Sequence, residues 1–122
     1  MNIVLLDPRQ TQAALWSITS KRQLEHLQQH VKIQVGDTLK VGIRGGKRYC
    51  CEVISVAEQA IQVKALYEEN VPKKLPVTLI VAMPRPKVLR RLIMDSVTLN
   101  VKKIILLHSY RVDKSYWQTP FL

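Results

Sequence analysis

The 122-residue sequence predicts two parts of different fold class, α+β followed by α/β. Residues 1–72 show several short strand patterns separated by turn residues, which favours a small β-barrel. Residues 73–122 show two long apolar stretches around an amphipathic helix pattern, which favours a strand–helix–strand unit. Between them, the stretch "ENVPKKLP" combines two prolines with charged residues and has no apolar period. We therefore place the domain boundary near residues 71–75.

The first part begins with a predicted strand and one short helix. Asn2–Leu6 is apolar and reads as a strand. Ser20, followed three residues later by Gln23, fits a capping box that opens a helix over residues 21–30. The side chains predicted for the buried edge of this helix are Leu24, Leu27 and Val31.

Turn residues then divide the remainder of the first part into strands. Gly36-Asp37 predicts a turn before a strand at Thr38–Ile43, and Gly45-Gly46 predicts a hairpin turn after it. The stretch "AIQVKAL" alternates, which predicts a strand with one buried face. The side chains expected on that face are Ile61, Val63 and Ala65.

The second part predicts a parallel βαβ unit. The stretch "PVTLIVAM" is almost continuously apolar, as in strands that are buried on both faces, and "KKIILLHSY" predicts a second buried strand. Between them, a helix is predicted over residues 86–100, with Pro86 in its first turn and an Arg91–Asp95 pair on its surface. Its buried face is expected to be Leu89, Leu92, Ile93 and Val97. One helix on two strands is an incomplete α/β domain, so we expect the chain to be truncated.

Positive charge is concentrated in the second part. The chain has a net charge of +10, and residues 73–122 contain ten Lys and Arg but only two acidic residues. Arg85, Lys87 and Arg90 fall at the start of the helix, where the helix dipole is already positive. We expect a phosphate backbone to lie across this helix start, because amide N–H groups and cations act together there. An ordinary solvated helix face and an anionic membrane surface are the alternatives.

The stretch "RGGKRY" places Arg44, Lys47, Arg48 and Tyr49 at and beside the hairpin tip. This pattern is typical of a basic finger with an aromatic platform that grips RNA, and a solvated turn is the alternative.

Other classes of site are disfavoured. No apolar run approaches the ~20 residues that span a bilayer. His26 and His30 have helical spacing but no third ligand, so no metal is expected. Cys50 and Cys51 are adjacent, which predicts reduced thiols and a cytoplasmic protein. No phosphate-binding loop, nucleophile elbow or paired-carboxylate motif is present, so no catalytic residue is assigned.

The order of "VKIQVGD", the "GGKRY" hairpin and "LPVTLIVAMPRPKVLRRLI" resembles the RsmE family of bacterial 16S rRNA uridine-N3 methyltransferases. The resemblance implies a PUA-like barrel followed by a SPOUT domain with a trefoil knot. It also implies S-adenosylmethionine as cofactor, 16S rRNA or the small ribosomal subunit as partner, and a homodimer. The cofactor site would lie downstream of Leu122, so the 122-residue chain alone is expected to be inactive. A stand-alone RNA-binding module or ribosome-assembly factor without catalysis is the alternative.

Several basic positions match the family pattern. Lys32 stands where the family usually has an arginine, Arg85–Lys87 matches a basic turn, and Arg111 matches an arginine after the second strand. Asn100-Val101 replaces a Gly-Val pair, and the helix lacks the family's glutamate. The residues predicted to contact RNA phosphates are Lys32, Arg44, Lys47, Arg48, Arg85, Lys87, Arg90 and Arg111.

Overall fold

The computed structural model describes residues 3–122, so Asn2 of the predicted first strand lies outside the described residues. The chain divides into two compact units between Val71 and Pro72. The first unit contains one five-stranded sheet in the order β1-β3-β4-β5-β2. Its strands are β1 (Ile3–Leu6), β2 (Trp16–Ile18), β3 (Thr38–Ile43), β4 (Arg48–Val56) and β5 (Ile61–Glu69). β1 pairs with β3 in parallel and the other neighbours are antiparallel. Because β1 and β2 are the ends of this order, it does not establish the predicted closure into a barrel.

The core of the first unit lies on one face of this sheet and confirms the predicted alternation in β5. Ile61 and Val63 are fully buried, whereas Lys64 between Val63 and Ala65 is exposed. The predicted hairpin also forms: β3 and β4 are antiparallel neighbours, and the amide of Gly46 donates to the carbonyl of Ile43 at 2.8 Å. The buried apolar cluster consists of Val4, Leu6, Trp16, Ile18, Leu24, Leu27, Val41, Cys51, Val53, Ile61 and Val63.

The predicted helix of the first unit changes type along its length. An α-helix, α1 (Lys21–Glu25), continues as a π-helical segment, His26–Val31. Leu24 and Leu27 are buried as predicted, but Val31 is 45% exposed. Val31 is the last residue of this segment, directly before Lys32, where the backbone becomes left-handed and the helix ends, so its spacing from Leu27 does not keep it on the buried edge. The prediction for Val31 was therefore wrong.

The capping box forms at a different place from the one predicted. The Ser20 side chain makes no capping hydrogen bond, and the Gln23 amide instead donates to the carbonyl oxygen of Leu5 at 2.9 Å. The box that does form begins a short 3-10 helix, Pro8–Thr11. In it, Asp7 accepts from the Arg9 amide at 3.1 Å, and the Gln10 side-chain oxygen accepts from the Asp7 amide at 2.9 Å. Asp7 therefore stabilises the entry to this turn.

The Asp7 cap predicts a dependence of stability on pH. The pKa of the Asp7 carboxyl lies below its ordinary value of 3.8, first because of the hydrogen bond from the Arg9 amide and also because of the Arg44 guanidinium. A lowered pKa in the folded state stabilises the fold above about pH 4, and this contribution is lost as the pH falls through the folded-state value. We expect Asp7→Asn to lower the urea midpoint at about pH 6 and to flatten its decline below about pH 4. Equal midpoints for the two proteins at neutral pH would contradict this expectation. The control is Glu58→Gln, which removes an exposed carboxylate of the first unit that forms no ion pair within residues 3–122.

The second unit confirms the predicted parallel strand–helix–strand arrangement. Its elements are β6 (Leu75–Ala82), α2 (Pro86–Thr98), β7 (Val101–Leu107) and a 3-10 turn, Lys114–Gln118. β6 and β7 are parallel, with Leu75 opposite Val101 and Ala82 opposite Leu107. The register shifts between Leu75 and Thr78, a segment that contains Pro76. Proline has no N–H for the ladder, so an irregularity at this position is expected.

Burial in the second unit differs from the prediction. Leu89 is fully buried, but β6 is not buried on both faces, since Val77 is 46% and Ile80 59% exposed. Two strands and one helix offer cover for one face of the sheet only. On α2, Ser96 is buried and Val97 is 68% exposed, which corrects the predicted face. Ser96 lies seven residues after Leu89 and returns to its side of the helix, whereas the next position is displaced by about 80°.

Two further findings concern a predicted ion pair and the possibility of a membrane-spanning helix. Arg91 and Asp95 form no ion pair within residues 3–122, so their predicted pairing is wrong. No helix in that range combines the length and the apolar character that crossing a bilayer requires.

Candidate nucleic-acid interface

The structure brings basic residues from two separate loops to one edge of the second sheet. Because β6 and β7 are parallel, both strands end at the same edge, which we call the carboxyl edge. The Met83 amide donates to the Leu107 carbonyl at 2.9 Å and extends the pairing to this edge. Arg85 follows β6 by three residues, and Arg111 follows β7 by four. The two arginines are 26 positions apart in the sequence, yet both lie in segments that leave the sheet at the carboxyl edge.

The start of α2 lies at the carboxyl edge without an acidic partner. Arg85 is the N-cap residue but its side chain makes no capping hydrogen bond, and the first turn contains no acidic residue. Arg85, Lys87 and Arg90 are exposed and form no ion pair within the described residues. The first-turn N–H groups of a helix lack intrahelical acceptors. Amide donors and free cations at one helix start suit an anion. We call Arg85, Lys87, Arg90 and Arg111 the carboxyl-edge cations.

An exposed aromatic residue accompanies Arg111. Tyr110 is 91% exposed, and the Arg111 Nε donates to its hydroxyl at 3.1 Å. The guanidinium carbon lies 5.6 Å from the centre of the Tyr110 ring. An exposed ring next to a cation can stack a base while the cation contacts the backbone. Tyr110 is not among the residues predicted from the sequence to contact RNA, although its position directly before Arg111 was the available signal.

The basic residues of the hairpin tip are already paired. Arg44 Nη2 lies 2.6 Å from Asp7 Oδ2, and Lys47 Nζ lies 3.1 Å from Glu68 Oε2. Arg48 Nε lies 2.9 Å from Glu69 Oε2, and these two atoms are shielded from solvent. A phosphate at the tip would have to displace carboxylates. RNA contact by Arg44, Lys47 and Arg48 stays a prediction, and their ion pairs with carboxylates disfavour it.

The aromatic residue beside the tip is not a free platform. Tyr49 is partly buried and packs edge-to-face against Trp16, with ring centres 5.1 Å apart at 84°. The exposed tyrosine of the sheet is Tyr67 on β5, at 60% exposure. Tyr67 shares a cross-strand position with Cys50, so it lies on the face opposite the core. The exposure of Tyr67 could not be predicted from the alternation in β5, because the register shift next to Cys50 changes which β5 residues face outward.

Lys32 occupies a left-handed backbone conformation. It ends the π-helical segment with φ 54° and ψ 51°, and its amide donates to the Leu27 carbonyl. The side chain is exposed and has no ion-pair partner within residues 3–122. A residue with a Cβ pays roughly 1 kcal/mol for this conformation, which glycine adopts freely. The position is therefore set by the backbone, and the lysine side chain is not needed for the fold.

Replacement of Lys32 by glycine and by alanine separates the effect of its left-handed backbone from the effect of its charge. We expect Lys32→Gly to raise the free energy of unfolding by about 0.5–1 kcal/mol, because the left-handed conformation loses its penalty. We expect Lys32→Ala, which keeps the Cβ, to leave stability close to that of the parent. Both variants remove the charge and should weaken RNA binding equally. Urea unfolding and RNA titration of the two variants test this, and a glycine variant less stable than the alanine variant would refute it.

Residues that could hold a metal or act as nucleophiles do not form a site. The rings of His26 and His30 lie 5.6 Å apart between centres, and within residues 3–122 no group of three potential ligands is found. Cys50 and Cys51 are free thiols, as predicted. Burial, and then the neighbouring Cys50, raises the pKa of Cys51 to about 11. Cys51 is therefore protonated near neutral pH and is a core residue, because the thiolate is the reactive form.

Comparison with known proteins supports the fold. No protein-family description and no curated protein sequence matches the chain. It is similar to the structure of a ribosomal RNA small subunit methyltransferase E from Neisseria gonorrhoeae bound to S-adenosyl methionine, with a TM-score of 0.72 and 15% identity over 91% of this chain. It is also similar to a probable rRNA-methyltransferase from Porphyromonas gingivalis, with a TM-score of 0.74 and 14% identity over 93% of this chain. A protein from Thermotoga maritima described as a predicted RNA methyltransferase gives 0.66 and 20% over 93%.

The chain spans about half the length of these proteins, covering 48%, 48% and 54% of them in the same order. At these identities the similarity is one of fold. The five-stranded sheet and the small parallel sheet of this chain are thus a mixed α+β fold similar to part of these methyltransferase structures.

Proposed function

We propose that this chain is the rRNA-binding and scaffold part of an S-adenosylmethionine-dependent rRNA methyltransferase of the RsmE family. In this proposal, the first unit is PUA-like and the second begins a SPOUT domain. The observation that carries the proposal is the set of unpaired, exposed carboxyl-edge cations (Arg85, Lys87, Arg90 and Arg111). In open α/β sheets, ligands bind outside the carboxyl ends of the strands, and cations there suit a phosphate backbone. The fold similarity to three methyltransferase structures supports the reaction class.

The proposed substrate is the N3 position of a uridine in 16S rRNA, presented by the rRNA or the small ribosomal subunit. The order of the sequence motifs supports this choice over other RNA targets, as does the small-subunit methyltransferase E among the similar structures. We propose a cytoplasmic homodimer for the intact protein, by which we mean the product of the complete gene.

The residues of this chain do not form a binding site that fits S-adenosylmethionine. All four glycines lie in the first unit, at Gly36, Gly42, Gly45 and Gly46. The second unit therefore offers no glycine loop through which its backbone could closely approach a nucleoside cofactor. We place the cofactor site in sequence beyond Leu122, and we derive no catalytic step from the residues present.

Methyl transfer by the intact protein tests the proposal. Incubation with methyl-labelled S-adenosylmethionine and small ribosomal subunits is expected to place the label in 3-methyluridine of 16S rRNA. Residues 1–122 alone are expected to transfer none. Label in a different nucleoside would refute the proposed target, and no transfer to any RNA would refute the enzymatic proposal.

A stand-alone RNA-binding module is the second candidate, favoured by the absence of glycine from the second unit. Reading the gene past Leu122 separates the two candidates. A reading frame that continues through glycine-rich loops supports the enzyme, and a stop codon directly after Leu122 supports the module.

A further inference from the structure

The second unit has a further group of basic residues at the opposite edge of its sheet. Lys73 and Lys74 directly precede β6, and Lys102 and Lys103 are the second and third residues of β7. All four are exposed. Because the strands are parallel, both begin at one edge, which we call the amino edge. We call these four residues the amino-edge lysines; none belongs to the predicted RNA-binding set.

Hydrogen bonds hold the two lysine pairs next to each other. The Leu75 amide donates to the Asn100 carbonyl at 2.9 Å, so β6 begins beside the turn that leads into β7. The Asn100 side-chain amide donates to the carbonyl of Lys73 at 2.7 Å and approaches that of Pro72 at 3.4 Å. Lys73 and Lys74 are therefore fixed beside the start of β7.

The backbone at Asn100 is suited to this role. Its φ of 61° is left-handed, a conformation that asparagine tolerates better than most residues. A glycine there would satisfy the backbone but would lack the amide that holds Lys73. Lys102 and Lys103, as consecutive strand residues, point to opposite faces of the sheet. The lysines thus surround the edge instead of covering one face.

Local negative charge does not balance this group. The acidic residues of the second unit are Asp95 and Asp113, and neither forms an ion pair within the described residues. Asp113 instead accepts hydrogen bonds from Ser115, and these lower the pKa of its carboxyl. The C-terminal end of α2 is also at the amino edge, but its dipole supplies only about half a negative charge against four positive charges. The repulsion that remains is relieved when a polyanion binds.

We propose that the amino-edge lysines form a second contact surface for a nucleic-acid backbone. β6 contains eight residues, so the amino and carboxyl edges are separated by roughly 25 Å. A nucleic-acid strand that reaches both edges therefore spans on the order of seven nucleotides, at about 3.4 Å per nucleotide. This inference rests on the proposed RNA-binding function and adds the path of the RNA along the second unit.

The test is the salt dependence of RNA binding by the intact protein. The probe is a 20-nucleotide 16S rRNA fragment, and the variant carries Lys73→Gln, Lys74→Gln, Lys102→Gln and Lys103→Gln. We expect at least tenfold weaker binding at about 0.1 M salt and a plot of log K against log salt that is shallower by about 3, because each phosphate contact contributes about 0.7–0.9. The four corresponding Lys→Arg changes should restore both values.

The matched control removes the same number of charges from the first unit. Its changes are Arg9→Gln, Lys21→Gln, Arg22→Gln and Lys64→Gln, all at exposed positions. If this control weakens binding as much as the amino-edge variant, net charge is responsible and the inference is overturned. If the amino-edge variant binds RNA normally while Arg85→Ala with Lys87→Ala does not, the inference fails and the proposed function stands. If neither variant affects RNA binding, both fail.

A charge-neutral variant tests the positioning by Asn100. Asn100→Gly keeps the left-handed turn but removes the hydrogen bond to Lys73. We expect RNA binding about 2- to 12-fold weaker, the equivalent of one net hydrogen bond, with thermal unfolding and circular dichroism as the check on folding. Wild-type affinity in a folded Asn100→Gly protein would show that the lysines need no such positioning.

The variant with four Lys→Gln changes also tests the partner. If it loses binding to phosphatidylserine vesicles while its RNA binding is unchanged, RNA is overturned as the partner of the amino-edge lysines.

Discussion

Replacement of Arg85, Lys87 and Arg90 by alanine is expected to weaken rRNA binding by the intact protein about 100-fold at 0.1 M salt, because three phosphate contacts and their counterion release are lost. These side chains are exposed at the start of α2 and form no ion pair within residues 3–122. Fluorescence anisotropy across a salt series measures both the affinity and its salt dependence.

The hairpin tip supplies a control with an equal change in charge. Arg44→Ala, Lys47→Ala and Arg48→Ala also remove three cations, but each of these is paired with a carboxylate. A paired cation gains less from a phosphate, because it must give up its existing partner. We expect less than about tenfold weakening for the tip variant. An equal or larger loss at the tip would place the main RNA contact in the first unit and would contradict our assignment.

Leu6→Ala is expected to lower the free energy of unfolding by about 2–5 kcal/mol, because it leaves a cavity in the core of the first unit. The Leu6 side chain is only 1% exposed. Leu5 is the adjacent residue on the same strand, with the same chemistry, and is 55% exposed. For Leu5→Ala we expect a change below about 1 kcal/mol.

Urea unfolding of the two leucine variants, monitored by circular dichroism, compares these values directly. Similar losses for Leu5→Ala and Leu6→Ala would mean that the face assignment of β1 is wrong. The same comparison tests the register of β1, because a slip of one residue against β3 would turn Leu5 towards the core and Leu6 away from it.

Elements that depend on local pattern could be predicted from the sequence. The hairpin between β3 and β4 follows from Gly45-Gly46, and the alternation of β5 follows from its period of two. The βαβ unit follows from its two apolar stretches, because parallel strands need a crossover connection. These predictions concern neighbours in the sequence, and the physical rules that link neighbours act without knowledge of the rest of the fold.

Features that depend on residues distant in the sequence could not be predicted. The partner of Arg44 is Asp7, which is 37 positions away, and the partner of Lys47 is Glu68, which is 21 positions away. The basic tip therefore looked free from its own letters. Its acidic partners come from the turn after β1 and from the end of β5, and only the sheet order brings them together. The gathering of Arg85 and Arg111 at one edge also requires knowledge that the strands are parallel.

Burial was mispredicted where helical geometry or cover differed from the ideal. Val31 was placed on a buried edge because of its spacing from Leu27, but it is the last residue of the helical segment, next to the left-handed Lys32 that ends it. The second unit gave the other error, since an apolar strand was taken to be covered on both sides. Ile80 shows that apolar character in a sequence reports a tendency, and that burial also requires a neighbouring element to supply the cover.

The Arg48–Glu69 ion pair has a consequence for how the protein behaves on changing ionic strength. Its two facing atoms are excluded from water, so mobile ions cannot screen them as they screen charges at the surface. The ion pair between the ends of β4 and β5 is therefore expected to persist in concentrated salt, which weakens charge pairs at the surface. A high-salt wash that removes carried-over nucleic acid is thus expected to leave this end of the native sheet in place.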